Sequence, residues 1–185
     1  MGTRIISPTR AELADLPTPL TAGEQQVLDW FDQHLPDGWE IYVQPHLNGL
    51  RPDFVLLHPQ NGIAVFEEKG WDLTAINYRY EGRPATLWAD NGTDRFRKKD
   101  PLAQIIGYKE EICQLYCPSL DTANHFGLIT NGLIFTQASS EQTKTLFNEE
   151  VRDHYSFSAK RPQNLIVSSD KLLNGSLAQV FPSAT

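Results

Sequence analysis

Asp53, Glu67 and Lys69 are the residues whose types and spacing best suit them to chemistry. Asp53 follows Arg51-Pro52 and heads the apolar run Phe54-Val55-Leu56-Leu57. Glu67-Glu68-Lys69 closes a second run, Ile63-Ala64-Val65-Phe66. Between the runs lies His58-Pro59-Gln60-Asn61-Gly62, and Asn-Gly between apolar runs signals a hairpin. Side chains alternate along a strand, so Glu67 and Lys69 share one face and Glu68 takes the other. A twisted hairpin brings Asp53 beside that pair. Two carboxylates and an amine at one sheet end can hold a divalent cation and handle a phosphate.

Phosphodiester hydrolysis needs an activated water and neutralisation of growing negative charge. Hard oxygen ligands suit Mg2+ or Mn2+. Magnesium takes one or two carboxylates together with waters and substrate phosphate, which matches Asp53 and Glu67. Such a cation lowers the pKa of its water and clamps phosphate oxygens. Lys69 is suited to orienting the water or stabilising charge beside the scissile phosphate. The plain alternative is a surface hairpin with charged ends. The position of the triplet at the end of an apolar strand, with Pro-Asp ahead of the partner strand, favours chemistry. A register with Glu68 as ligand would separate it from Lys69, so Glu67 is preferred.

A second constellation follows Asp100-Pro101. Asp100 is a helix N-cap and Pro101 suits the first helical position. Gln104 and Tyr108 are then four residues apart and share a face. Together they can hydrogen-bond a metal-bound water, a ligand carboxylate or a phosphate. Ile105, Ile106, Ile112 and Leu115 are expected to face the core. A helix with one solvated Gln and one half-buried Tyr is the plain alternative for this pair.

These residues need elements to position them. Residues 1–20 carry Pro8, Pro17 and Pro19 and read as an irregular arm. Gly23 to Leu35 is an amphipathic helix, Trp39 to Gln44 a short strand, and the Asp53 hairpin follows. Tyr78 to Phe96 reads as one further hairpin with Asn91-Gly92 near its turn. Pro101 to Tyr116 is the Gln/Tyr helix. Leu128 to Thr136 is a buried strand, Glu141 to Asn148 a short helix, and Leu165 to Ser168 a last strand. Ser169 or Asp170 is expected to cap a terminal helix. Strands alternating with helices predict an α/β sandwich with a mixed central sheet.

The chain has 185 residues with 40% hydrophobic content, enough for a core in one domain over 21–185. Its formal charge of −7 is unusual for a protein that merely coats nucleic acid. Metal-site carboxylates add negative charge, and the basic residues are partly segregated. Arg95, Arg97, Lys98 and Lys99 cluster ahead of the Gln104 helix and could track a DNA backbone; a solubilising loop is the alternative. Cys113 and Cys117 are two cysteines with no matching His pair, which argues against structural zinc. Reduced thiols, the lack of a secretion signal and the lack of a membrane-length apolar run predict a cytoplasmic protein that spans no membrane.

Pro52-Asp53, Glu67-x-Lys69 and Gln104-x-x-x-Tyr108 resemble the PD-(D/E)xK, or restriction-endonuclease-like, nuclease superfamily. More narrowly, the order of pieces is similar to the nuclease-related domain (NERD). That domain opens with a Gly-Glu helix, here Gly23-Glu24, and has a Glu-x-Lys-x-Trp motif, here Glu67, Lys69 and Trp71. It continues with a Pro-x-x-Gln helix, here Pro101 and Gln104. The match runs from about Thr21 to Thr136. The middle residue of the triplet is usually apolar in such domains, but here it is Glu68. The resemblance implies a restriction-endonuclease-like sandwich and a Mg2+- or Mn2+-dependent nuclease acting on DNA. It also implies that an acid on the first helix, Glu24, assists the metal site with Asp53 and Glu67. Glu24 reads equally as a helix-dipole partner behind the cap Thr21. The alternative function is a catalytically idle nucleic-acid-binding or scaffold module. The chain has no Gly-x-x-x-x-Gly-Lys phosphate loop, so ATP-driven work would fall to a partner such as a helicase or to another part of a longer protein.

Overall fold

The Asn61-Gly62 turn does what its sequence demands. Gly62 takes φ +91°, in the left-handed region open to glycine, and pairs with His58 to close the hairpin. The computed structural model describes residues 4–117, 129–155 and 164–185. In chain order the strands are β1 (Ile6–Ser7), β2 (Glu40–Val43), β3 (Phe54–His58), β4 (Gly62–Lys69), β5 (Asn77–Glu81), β6 (Thr86–Asp90), β7 (Arg95–Arg97), β8 (Ile129–Phe135) and β9 (Asn164–Val167). The α-helices are α1 (Ala22–His34), α2 (Pro101–Glu111), α3 (Ser140–Leu146), α4 (Glu149–His154), α5 (Ser169–Asn174) and α6 (Leu177–Val180).

The central sheet has the order β1-β2-β3-β4-β8-β9. It is mixed: β2, β3 and β4 run antiparallel in turn, whereas β1 lies parallel to β2, and β8 lies parallel to both β4 and β9. All seven residues of β8 are buried, as expected of a parallel strand covered on both sides. Helices pack on both faces. Phe31 of α1 meets Phe54 and Phe66 with ring centroids 5.7 and 5.2 Å apart. On the other face, Leu102, Ile105 and Tyr108 of α2 share a core with Val55, Val65, Leu133 and Phe135. Each fully buried large apolar side chain contributes about 1.5–3 kcal/mol, so these two layers hold α1 and α2 on the sheet. Leu172, Val180 and Phe181 from the chain's end join the α1 core, and Phe181 packs edge-on to Phe66 at 5.2 Å. The mixed α/β architecture predicted above is the observed one.

Four local expectations need correction. The arm over residues 1–20 is not wholly irregular: β1 adds an edge strand, and Leu13 is buried in the α1 core. Tyr78 to Phe96 forms three strands rather than one hairpin, because Gly82-Arg83-Pro84 makes a turn ahead of the Asn91-Gly92 turn. The Gln/Tyr helix widens into a π-turn over Ile112–Tyr116, with Cys117 N–H donating to Ile112 O, and Leu115 is 55% exposed. A five-residue step rotates the side chains out of the 3.6-residue pattern on which a core position for Leu115 depended. The last strand starts at Asn164, and Ser168, not Ser169 or Asp170, is the N-cap of α5. The β8 strand begins at Ile129; Leu128 lies outside the described residues.

Candidate active site

Asp53 precedes the Phe54–Phe66 pair by one residue, so the antiparallel register of β3 and β4 sets it across from Glu67. Lys69 projects to the same face of β4, and its Nζ lies 2.8 Å from Glu67 Oε1. Helix α2 closes over this face. Its start is built as the sequence predicts: the Asp100 carboxylate accepts from Leu102 N at 2.9 Å, with Pro101 in the first turn. One turn on, Gln104 Nε2 donates to Glu67 Oε1 and to the Tyr108 hydroxyl oxygen, both at 2.6 Å. The Tyr108 hydroxyl donates to Glu67 Oε2 at 3.1 Å. Thus both oxygens of the buried Glu67 carboxylate are held by side chains brought in by two elements.

Asp53 is held differently. Its Oδ2 accepts from the backbone N–H of Glu68 at 2.7 Å, and the Glu24 carboxylate is near enough to act on it electrostatically. Burial pushes the Asp53 pKa up to about 8, the charges of Glu67 and Glu24 push the same way, and the Glu68 N–H opposes them. Glu24 sits at the start of α1 in a capping box: its Oε2 accepts from Thr21 N at 2.6 Å while Thr21 Oγ1 accepts from Glu24 N at 3.1 Å. The helix-start role and the place beside Asp53 therefore belong to one side chain. Glu68 faces the α1 side of β4, as alternation requires. It accepts a hydrogen bond from Thr136 Oγ1, and its carboxyl lies against Gly23. Burial raises the Glu68 pKa, against the Thr136 hydrogen bond, which lowers it. Burial and then the Glu67 charge raise that of Tyr108.

Residues 20–136, more than half of the chain, match the family described as nuclease-related domain. The chain belongs to the NERD family. No curated protein and no solved structure matches it. The span matched to NERD contains Glu24, Asp53, Glu67, Lys69, Gln104 and Tyr108.

Sequence reasoning missed several partners of this NERD site. Gln44 Nε2 donates to Glu24 Oε1 at 3.3 Å, and Arg51 Nη2 donates to Gln44 Oε1 at 2.5 Å. The carbonyl of Arg51, 3.3 Å from the Tyr108 hydroxyl, is a second acceptor for the one proton that also points to Glu67. Arg51 stands two residues ahead of Asp53, a spacing that could have marked it. Gln44 and Thr136 carried no sequence signal, since each merely ends an apolar strand.

The basic cluster starts on β7, the edge of a separate three-stranded sheet of order β5-β6-β7, and continues through Lys98 and Lys99. Arg95 is paired with Glu81 and lies over the Trp88 ring, 4.5 Å from its centroid. Lys98 lies over Phe96, and Arg97 and Lys99 are exposed. Arg97, Lys98 and Lys99 line a cleft of about 460 Å³ with Thr86, Asp100 and Tyr155. A wider cleft of about 890 Å³ separates β5 from α3 and α4, and none of the six candidate acid, amine, amide and phenol residues lines it. Chemistry therefore locates the site here better than cleft size does. Among the described residues, no helix is long and apolar enough to cross a membrane.

Proposed function

We propose that this domain is a divalent-metal-dependent nuclease that hydrolyses phosphodiester bonds in DNA, using Mg2+ or Mn2+. The observation that carries this reading is the convergence of Lys69, Gln104 and Tyr108 on the Glu67 carboxylate, with Asp53 across the hairpin. The donor set fits a hard cation: Asp53 and Glu67 offer carboxylate oxygens, and Glu24 stands next to Asp53. Among the described residues no three carboxylate, imidazole or thiol groups converge as a finished cage. Magnesium needs only one or two carboxylates and keeps several waters, so Asp53 and Glu67 suffice. When bound, the cation would supply a more acidic water and charge neutralisation at the phosphate.

The chain's own residues divide the remaining work. Asp53 and Glu67 hold the cation, and Gln104 and Tyr108 orient the Glu67 carboxylate through its two oxygens. Lys69 places a positive charge where negative charge grows on the phosphate, which lowers the barrier if that charge is larger in the transition state than in bound substrate. Arg97, Lys98 and Lys99, with Arg95, contact the DNA backbone. A helicase or another ATP-driven component supplies any unwinding.

The second reading is a catalytically idle NERD module that binds nucleic acid for a partner. In that reading the contacts of Lys69, Gln104 and Tyr108 with Glu67 only satisfy a buried carboxylate. Labelled circular, linear and single-stranded DNA incubated with Mg2+ or with chelator separates the two. Mg2+-dependent cleavage that vanishes in Asp53→Asn supports the nuclease. Metal-independent DNA binding without cleavage supports the idle module.

A further inference from the structure

We propose that Gln44 is a positioning residue that holds the Glu24 carboxyl against Asp53. The proposal rests on the nuclease reading of this acidic site. Gln44 follows β2 with φ +48°, a left-handed conformation that a glycine would take without strain. Its backbone N–H donates to Asp53 O at 2.8 Å, a bond any residue except proline could make. The side chain must therefore account for the choice of glutamine. At its tip, Arg51 Nη2 donates to Oε1 at 2.5 Å, which sets the amide so that Nε2 faces Glu24 and donates to its Oε1 at 3.3 Å. The other Glu24 oxygen is taken by Thr21 N at 2.6 Å, inside the cap of α1. Glu24 is thus held from both sides, by its own helix and by Gln44, and the backbone of that same Gln44 is tied to Asp53. Gln44 is buried, so its amide needs those partners. A strained backbone kept beside a cluster of buried acids is the kind of outlier that points to function.

Glycine and asparagine separate the two roles. Both are at ease with positive φ, and neither reaches Glu24: glycine has no side chain, and asparagine stops one methylene short. If only the backbone turn mattered, both variants would behave like the wild-type protein. The test uses Gln44→Gly and Gln44→Asn, each confirmed folded by circular dichroism, with two readouts. One is Mn2+ binding followed by electron paramagnetic resonance. The other is a double-mutant cycle with Glu24→Gln, measured by denaturant unfolding in chelator. The expected result is an Mn2+ dissociation constant raised by about tenfold or more. The cycle is expected to show a coupling of about fivefold or more in the unfolding constant. Additive unfolding of Gln44 and Glu24 variants overturns the positioning role, with or without metal. Wild-type Mn2+ affinity in either variant also overturns it. Wild-type protein that binds no Mn2+ and cuts no DNA overturns the nuclease reading alone, and the metal-free cycle then decides the role of Gln44.

Discussion

Lys69 Nζ lies 2.8 Å from Glu67 Oε1, with both side chains on one face of β4 and only 16% and 7% exposed. An ion pair this shielded is screened less than a surface pair, and its two charges are spaced by two residues because a strand repeats every two. Glu68, between them, turns to α1 instead.

Replacing Lys69 by Ala is expected to preserve metal binding and most DNA affinity while slowing cleavage by about a hundredfold or more. Replacing Lys98 and Lys99 together should do the reverse. It should weaken DNA binding and flatten its salt dependence by about one unit of slope per lost phosphate contact. Single-turnover cleavage at saturating enzyme and binding titrations from low to high salt distinguish them. Unchanged single-turnover cleavage by Lys69→Ala would reduce Lys69 to a docking residue.

Gln104→Ala and Tyr108→Phe each remove a hydrogen bond to the Glu67 carboxylate. Such bonds contribute about 1.5–3 kcal/mol when one partner is charged. Both variants should therefore lose measurable stability in denaturant titrations and also lose turnover. Gln104→Ala is expected to cost more than a solvated helix position would, because its amide also donates to Tyr108. Wild-type turnover in either variant would show that Glu67 needs no orientation from α2.

The raised Asp53 pKa sets a pH dependence in metal-free protein. Its ordinary value is near 3.8 and its folded value about 8, so between those limits the folded state keeps a proton that the unfolded chain has released. The resulting stability is full below the unfolded pKa and is lost as pH rises toward 8. The slope is at most about 1.4 kcal/mol per pH unit. Melts in chelator across this range should show wild type losing stability relative to Asp53→Asn, which has no proton to lose. Added Mg2+ should restore wild type at pH 8 and leave Asp53→Asn unmoved. Parallel curves for the two proteins would show that Asp53 titrates normally.

Gly23 has no room for a side chain. A Cβ there would run into Glu68 Oε1 and come within 2.8 Å of Thr136 Oγ1. Gly23→Ala is expected to destabilise the fold by about 1–3 kcal/mol, as overpacking does, despite the higher helix propensity of alanine. In a Glu68→Ala background the same substitution should cost less, because the nearest obstruction is gone and the Thr136 hydroxyl, freed from Glu68, is left to turn aside. Equal costs in the two backgrounds would mean that Glu68 yields freely.

The sequence by itself determined the hairpin, the faces of β4, the start of α2 and the sharing of a helix face by Gln104 and Tyr108. Each follows from local chemistry: a turn that needs Gly62, the two-residue repeat of a strand, a cap at Asp100, and the turn of a helix. It also carried enough ordered motifs to resemble NERD. Only the tertiary structure decided which partners meet. Gln104 and Glu67 are 37 positions apart, and Thr136 and Glu68 are 68 apart, so no spacing rule connects them. The role of Gln44 depends on how β2 turns beside α1, and the exposure of Leu115 on a π-turn that replaces the regular helix. Burial is likewise a property of the assembled layers. Partial burial first, and then the charges of Glu67 and Glu24 that β4 and α1 bring near, push the Asp53 pKa up to about 8.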